Sequence, residues 1–321
     1  VVFCTATQPD YTPVADLEQT SIVTDTDELY KTFERVRYHY AGQQWTHQEL
    51  ARRARESTSL TICNTTADAA SVAEASGIDM LSTRLCKAHR NKVLADVIEH
   101  GKSLVSTQVV EAGVDISYPT VYRAVAPMIG IIQAAGRCNR NAEQDRGDVY
   151  VYELENGNCP PGAYAAGRDL TKSLLEAGDI DLNAPQATEV YYRNLFELRD
   201  PDTNDVQGAR KGLDYPQTSK RYRIIDNDAT DVVVNYRQAH EMAHDLQHVV
   251  QEHGYMPSWV RRKLQPYTVS LYDHVFKLAD EQSQVTELAP DLWLLDEDLY
   301  HSTYGLLQEQ IKHWDEETHT W

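Results

Sequence analysis

Cysteine is scarce in this 321-residue chain: five residues, Cys4, Cys63, Cys86, Cys138 and Cys159, and no Cys-x-x-Cys pair. That usage gives neither a disulfide framework nor a thiolate zinc site, and it fits a reduced, cytoplasmic protein. No run is long and apolar enough to span a membrane, and no signal peptide opens the chain. Basic residues are outnumbered, 30 Lys and Arg against 49 Asp and Glu for a net charge of −19. Such a balance excludes a general nucleic-acid coat held on by bulk electrostatics. The deficit is uneven, with 15 basic and 19 acidic residues in 1–150 and 15 against 30 in 151–321. Contact with a polyanion is therefore expected in a groove of the first half. A complete phosphate loop is also missing. Gly101-Lys102-Ser103 imitates the end of GxxxxGK[ST], but Asp96 stands where the first glycine is needed, and the tripeptide precedes a strand instead of following one.

What is present is concentrated in residues 106–141, STQVVEAGVDISYPTVYRAVAPMIGIIQAAGRCNRN. An apolar strand, LVSTQVV, leads through a glycine turn at Gly113 to a second apolar stretch, YRAVAPM. A helical pattern from Ile129 then carries Gln133, Arg137 and Arg140 at spacings of four and three, which predicts all three on one helix face. Two permanently charged guanidiniums placed together call for an anion between them, and a triphosphate is the obvious candidate.

These blocks resemble motifs V and VI of the superfamily 2 helicases, in which motif VI reads Gln-x-x-Gly-Arg-x-x-Arg. The flanking words narrow the resemblance. STQVVEAGVDIS, followed by QAAGRCNR and preceded by LSTRLCKAHR and ICNTTADA, is similar to the helicase half of the CRISPR-associated helicase–nuclease of type I systems. Thr5-Ala6-Thr7 resembles motif III, which closes the first of two RecA-like domains, so the chain looks like a C-terminal fragment without the nuclease domain and most of that first domain. The resemblance implies ATP and Mg²⁺ as cofactors, with the Mg²⁺ ligands outside this chain. It implies that Arg137 and Arg140 neutralise charge on the γ-phosphate, Arg140 as the finger, and that Gln133 orients them or touches the nucleotide. Gly113 and Gly136 would permit the close turns, and Asp115 would hold the ribose or an arginine, its alternative role being to cap the following turn. Thr107, Asn64, Thr65 and Arg84 match positions that contact single-stranded DNA phosphates, although Arg84 also fits a solvated surface charge. The implied partners are the single-stranded DNA of an R-loop, the CRISPR surveillance (Cascade) complex and the N-terminal half of the same protein. The isolated chain is expected to be inactive. Another superfamily 2 motor, such as an RNA helicase or repair translocase, and a non-catalytic docking module remain as alternatives.

The pattern along the chain is α/β. A strand near Arg35 to Tyr40 is followed by a helix opened by a capping box at Thr46 and Glu49. After these come strand SLTIC, a helix from Ala67, strand IDMLS, a helix from Asn91, strand SLVSTQVV, VYRAVA, the motif VI helix and strand DVYVYEL. The expected architecture is a RecA-like parallel sheet with helices on both faces over residues 14–156, after a remnant at 1–13. Two linker helices follow in 157–199, interrupted at Ala184-Pro185, and a small mixed α+β accessory domain in 200–321 with strands such as YRIID and DVVVNY. One motif competes: His240-Glu241-Met242-Ala243-His244 is HExxH, the zinc-protease helix. Ala239, Met242, Ala243, Leu246, Val249 and Val250 form its apolar stripe, so His240, His244 and His248 are expected to face outward. The extended zincin form also needs glycine and histidine where Gln247 and Val250 stand. No metal site is expected there, with adventitious metal binding by His240, His244 and His248 as the alternative.

Overall fold

The computed structural model describes residues 7, 20, 22–23, 25–198, 200, 202–222 and 229–312. Thr5 and Ala6 of the motif III word, nearly all of YRIID and the last nine residues lie outside the described residues. The chain divides into two compact units, residues 1–76 with 105–226 and residues 77–104 with 227–321.

The first unit begins with α1 (Thr26–Thr32) and β1 (Val36–Trp45). Helix α2 (His47–Glu56) starts at the expected capping box, in which Thr46 Oγ1 accepts from Glu49 N at 3.1 Å and Thr46 N donates to Glu49 Oε2 at 3.1 Å. Strand β2 (Ser59–Ile62) is buried at all four positions and leads to α3 (Thr66–Ser76). In the second unit, β3 (Met80–Leu81) and α4 (Lys87–His100) follow, the helix beginning one turn before Asn91. The chain returns as β4 (Leu104–Ser106), a 3₁₀ turn (Gln108–Val110), β5 (Thr120–Ala124), α5 (Met128–Ala135) and β6 (Gly147–Leu154). Strands β1, β6, β5, β2 and β4 lie side by side in that order, and the β1–β6, β6–β5 and β5–β2 pairs are parallel. A parallel sheet needs cover on both faces. One cover is built on α5, α6 (Ala163–Ala177) and α7 (Ala187–Leu198), whose Met128, Ile131, Leu170, Ala187 and Tyr191 are buried with Val151 of β6. On the other face Tyr152 stacks on Trp45 at 5.6 Å, and Arg53 of α2 lies 4.3 Å above the Trp45 ring. The unit ends in two short helices, α8 (Val206–Lys211) and α9 (Tyr215–Arg221).

In the second unit β7 (Ala229–Val233), α10 (Ala239–His253), α11 (Ser258–Leu264), β8 (Thr268–Tyr272), α12 (Asp273–Glu281), β9 (Val285–Ala289) and β10 (Leu292–Leu295) build a mixed sheet of order β8-β7-β10-β9. Only β10–β7 is parallel. Alternation along β7 explains its two cores. Val232 packs with Val269, Leu271, Val275 and Ala279, whereas Val233 packs with Ala243, Leu246, Val250 and Val260. The hairpin β11 (Tyr300–His301) and β12 (Gly305–Leu306) and helix α13 (Gln308–Lys312) complete the unit. No helix among the described residues is long and apolar enough to cross a membrane.

Candidate nucleotide- and DNA-facing site

The ICNTT and STQVV words leave the carboxyl ends of β2 and β4, where open α/β sheets bind ligands, and the motif VI arginines lie past α5 beside residues 115–118, just ahead of β5. Helix α5 stops at Ala135, so Arg137 and Arg140 are not on its face with Gln133, contrary to the spacing argument. The backbone gives the reason. Arg137 O accepts from Tyr118 N at 2.9 Å and Asn139 N donates to Tyr118 O at 2.8 Å, which draws residues 137–139 out of the helix and beside residue 118. Asn139, at φ 46°, completes the exit.

The two arginines consequently have opposite surroundings. Arg137 is buried, its Nε donating to Val110 O at 2.9 Å and its Nη2 to Glu111 O at 2.8 Å. It fastens the 3₁₀ turn after β4 to the exit of α5. Burial, and then the nearby Arg140, lower its proton affinity, while Asp115 opposes them. Arg140 is exposed, with Nε donating to Asp115 Oδ1 at 2.9 Å and its backbone N to Ser117 Oγ at 3.0 Å. Among the described residues its two terminal nitrogens have no recorded partner. Gly113 supplies a turn at φ +74°, and an added Cβ would meet nothing, so backbone conformation rather than crowding requires glycine there. At Gly136 an added Cβ would lie 3.1 Å from Gln133 O.

Thr107 is buried and opens the 3₁₀ turn. Asn64, at the end of β2, is committed on every side: Nδ2 donates to Val125 O, and Oδ1 accepts from Arg123 Nη1 and from the Tyr164 hydroxyl, each at 2.8 Å. The Thr65 hydroxyl donates to Asp68 Oδ2 at 2.7 Å and accepts from Asp68 N, which makes it the cap of α3. Arg84 belongs to the second unit and is 8% exposed, so it is not a solvated surface charge.

Sequence reasoning missed the group beneath these loops. Arg123 of β5 is fully buried, with Nη2 2.9 Å from Glu111 Oε1 and 3.0 Å from the Tyr164 hydroxyl, and Gln108 Nε2 donates to Asn64 O and Tyr164. The Arg123–Glu111 pair is close, but its alignment gives Glu111 Oε1 no hydrogen bond. Burial raises the Glu111 carboxyl, and Arg123 opposes that rise. For Arg123, burial works to lower proton affinity, yet Glu111 and Tyr164 raise it overall. Gly130 leaves space for this pair, since a Cβ there would come within 3.3 Å of Arg123 Nη2. The available signal was a lone arginine inside the apolar word VYRAVA.

The HExxH helix is different from expectation in one respect. His244 and His248 are exposed, but the His240 side chain is only 13% exposed, with Nδ1 3.6 Å from Glu297 Oε1. The start of α10 packs against the mixed sheet, which covers that ring. Among the described residues no group of three His, Cys, Asp or Glu side chains is placed to hold a metal ion.

Residues 23–143 match a family model described as CRISPR-associated nuclease/helicase Cas3, C-terminal. A CRISPR-associated nuclease/helicase Cas3 of Haloferax volcanii is 29% identical over 149 residues, covering 44% of this chain and 15% of the relative. One of Methanothermobacter thermautotrophicus is 25% identical over 185 residues, covering 50% and 22%. Crystal structures of T. fusca Cas3 with AMPPNP and with ADP each superpose with a TM-score of 0.57, at 16% and 15% identity, over 85% and 91% of this chain and 42% and 44% of theirs. At those identities the structural likeness shows the fold alone. The chain spans less than a quarter of the curated relatives and less than half of the solved chains. By these matches residues 23–143 are similar to the C-terminal part of the CRISPR-associated nuclease/helicase Cas3.

Proposed function

We propose that this chain supplies the second RecA-like half of an ATP-dependent single-stranded-DNA translocase coupled to a nuclease in type I CRISPR defence. The observation that supports this best is the division of labour between the two motif VI arginines. Arg137 is spent on the loop carbonyls of Val110 and Glu111, whereas Arg140 presents a half-exposed guanidinium beside Asp115 and Ser117, just ahead of β5. A donor-only, exposed guanidinium with its Nε edge fixed by Asp115 fits a phosphate group. ATP would supply a γ-phosphoryl group for transfer to water. Arg140 would neutralise charge developing there, and Asp115 would hold Arg140 in register. Gln133, Gly113 and Gly136 would shape the same rim. Thr107, buried at the head of the 3₁₀ turn, and Asn64 and Thr65 would act by holding the loops whose backbone meets DNA phosphates. Mg²⁺ would be held by acidic residues of the partner RecA-like domain. The DNA would be the displaced strand of an R-loop delivered by the surveillance complex.

The test uses the full-length natural protein. Arg140→Ala is expected to lower DNA-stimulated ATP hydrolysis roughly a thousandfold, with single-strand affinity held within about threefold because many dispersed phosphate contacts share it. Near-normal hydrolysis would remove Arg140 from the nucleotide cleft. The 321-residue chain alone, which carries no complete phosphate loop, should hydrolyse ATP no faster than buffer.

A further inference from the structure

The α8–α9 segment stands apart from the rest of the chain in charge and exposure. Residues 202–222 hold four basic residues, Arg210, Lys211, Lys220 and Arg221, against three acids, Asp202, Asp205 and Asp214, in a protein whose net charge is −19. Leu213, Tyr215 and Tyr222 are 69%, 66% and 66% exposed, and Ala209 is the one buried side chain in the two helices. Nothing among the described residues covers these three side chains.

The segment is nevertheless built rather than loose. Asp202 accepts from Val206 N at 2.7 Å and Gln207 N at 2.8 Å at the head of α8. Asp214 caps α9 by accepting from Gln217 N at 3.1 Å, and Leu213 turns the chain between the helices at φ 57°. Arg221 Nη1 ties the end of α9 to the start of α8 through Asp205 O at 2.8 Å and Asp205 Oδ2 at 2.7 Å. One of the four cations is thus spent on the hairpin itself. Arg210, Lys211 and Lys220 are exposed and have no ion-pair partner among the described residues. Tyr215 and Tyr222 are seven residues apart, which puts them on one side of α9 and roughly 10 Å apart along it.

We infer that the α8–α9 hairpin is an accessory binding site for single-stranded DNA, in which Tyr215 and Tyr222 stack unpaired bases and Arg210, Lys211 and Lys220 hold the phosphates. Permanent cations beside aromatic platforms that every base can stack on are what sequence-independent binding requires. An acidic protein surface would satisfy the cations; the two ring faces on one side of α9 add platforms for successive unpaired bases. The inference rests on the function proposed above only in choosing DNA over RNA; the site itself comes from the hairpin.

The experiment is fluorescence anisotropy of the 321-residue chain with a labelled dT20 strand across a series of NaCl concentrations. Tyr215→Ala/Tyr222→Ala is expected to weaken binding roughly tenfold or more, because stacking on one ring contributes about fivefold at the least. Tyr215→Phe/Tyr222→Phe, which keeps both rings, should bind as wild type does. Arg210→Ala/Lys211→Ala/Lys220→Ala should reduce the slope of log affinity against log salt by about 2, from roughly 0.7 for each phosphate contact on a single strand. All these side chains are exposed, so unchanged far-ultraviolet circular dichroism is expected throughout. Affinities within twofold of wild type in both alanine variants would overturn the site. So would polyglutamate displacing the strand as well as unlabelled dT20 does, which would mark an acidic protein as the occupant. Binding of rU20 in place of dT20 would overturn the choice of DNA. In the full-length protein the tyrosine pair should leave DNA-free ATP hydrolysis unchanged, which separates failure of this site from failure of the Arg140 assignment.

Discussion

Arg137 and Arg140 are three residues apart, and their different burial predicts different losses. Arg137→Ala removes two charge-assisted hydrogen bonds and leaves the carbonyls of Val110 and Glu111 without their donor. It should cost about 2–4 kcal/mol in chemical denaturation. Arg140→Ala deletes an exposed ion pair and should stay within about 0.5 kcal/mol of wild type. Equal destabilisation by the two would contradict the geometry. Arg123→Ala strands Glu111 in a buried site and should cost about 3–5 kcal/mol. Motif spacing alone treats Arg137 and Arg140 as a pair, because it carries no information on where a helix exits. The backbone bonds to Tyr118, twenty residues earlier, decide that.

At the scale of elements, α4 enters the second unit on a buried polar contact. His89 Nδ1 lies 3.0 Å from the Tyr300 hydroxyl, Cys86 N donates to the same oxygen at 2.9 Å, and Tyr236 stacks on the imidazole at 4.5 Å. Burial lowers His89 to about 4, and the ring is 4% exposed. The unfolded chain, with an ordinary histidine, takes up the proton near pH 6.5, before the folded chain does. The stability from the neutral ring is therefore complete above about pH 6.5 and is lost as pH falls toward 4. Between pH 7 and pH 5 the loss should be about 2 kcal/mol. Urea denaturation of wild type against His89→Phe measures it; a difference between the two that does not change with pH would show that His89 does not titrate on unfolding.

Most elements were legible from hydrophobic period and turn chemistry: the capping box at Thr46, the short fully buried β2, and the break at Ala184-Pro185 between α6 and α7 all rest on local physics. Strand order was not legible. The pairing of β1 with β6, more than a hundred residues apart, depends on how helices cover the sheet. The Arg123–Glu111–Asn64–Tyr164 group was hidden for the same reason, since its members come from four separate segments.

For the molecule as a whole, the surplus of acids in 151–321 argued for polyanion contacts in the first half, and the α8–α9 hairpin is a local exception inside the acidic half. Residues 77–104 cluster with 227–321, so the Arg84 word folds with the mixed-sheet unit rather than with motifs V and VI. The central claim is that the loops fastened by Arg137, with Arg140 at their rim, face bound nucleotide. Hydrogen–deuterium exchange on the full-length natural protein, with and without a non-hydrolysable ATP analogue, tests it most directly. The account predicts nucleotide-dependent protection in peptides covering residues 107–117 and 133–141, and loss of the second protection in Arg140→Ala. Unchanged exchange in both segments, with protection confined to other parts of the protein, would contradict it.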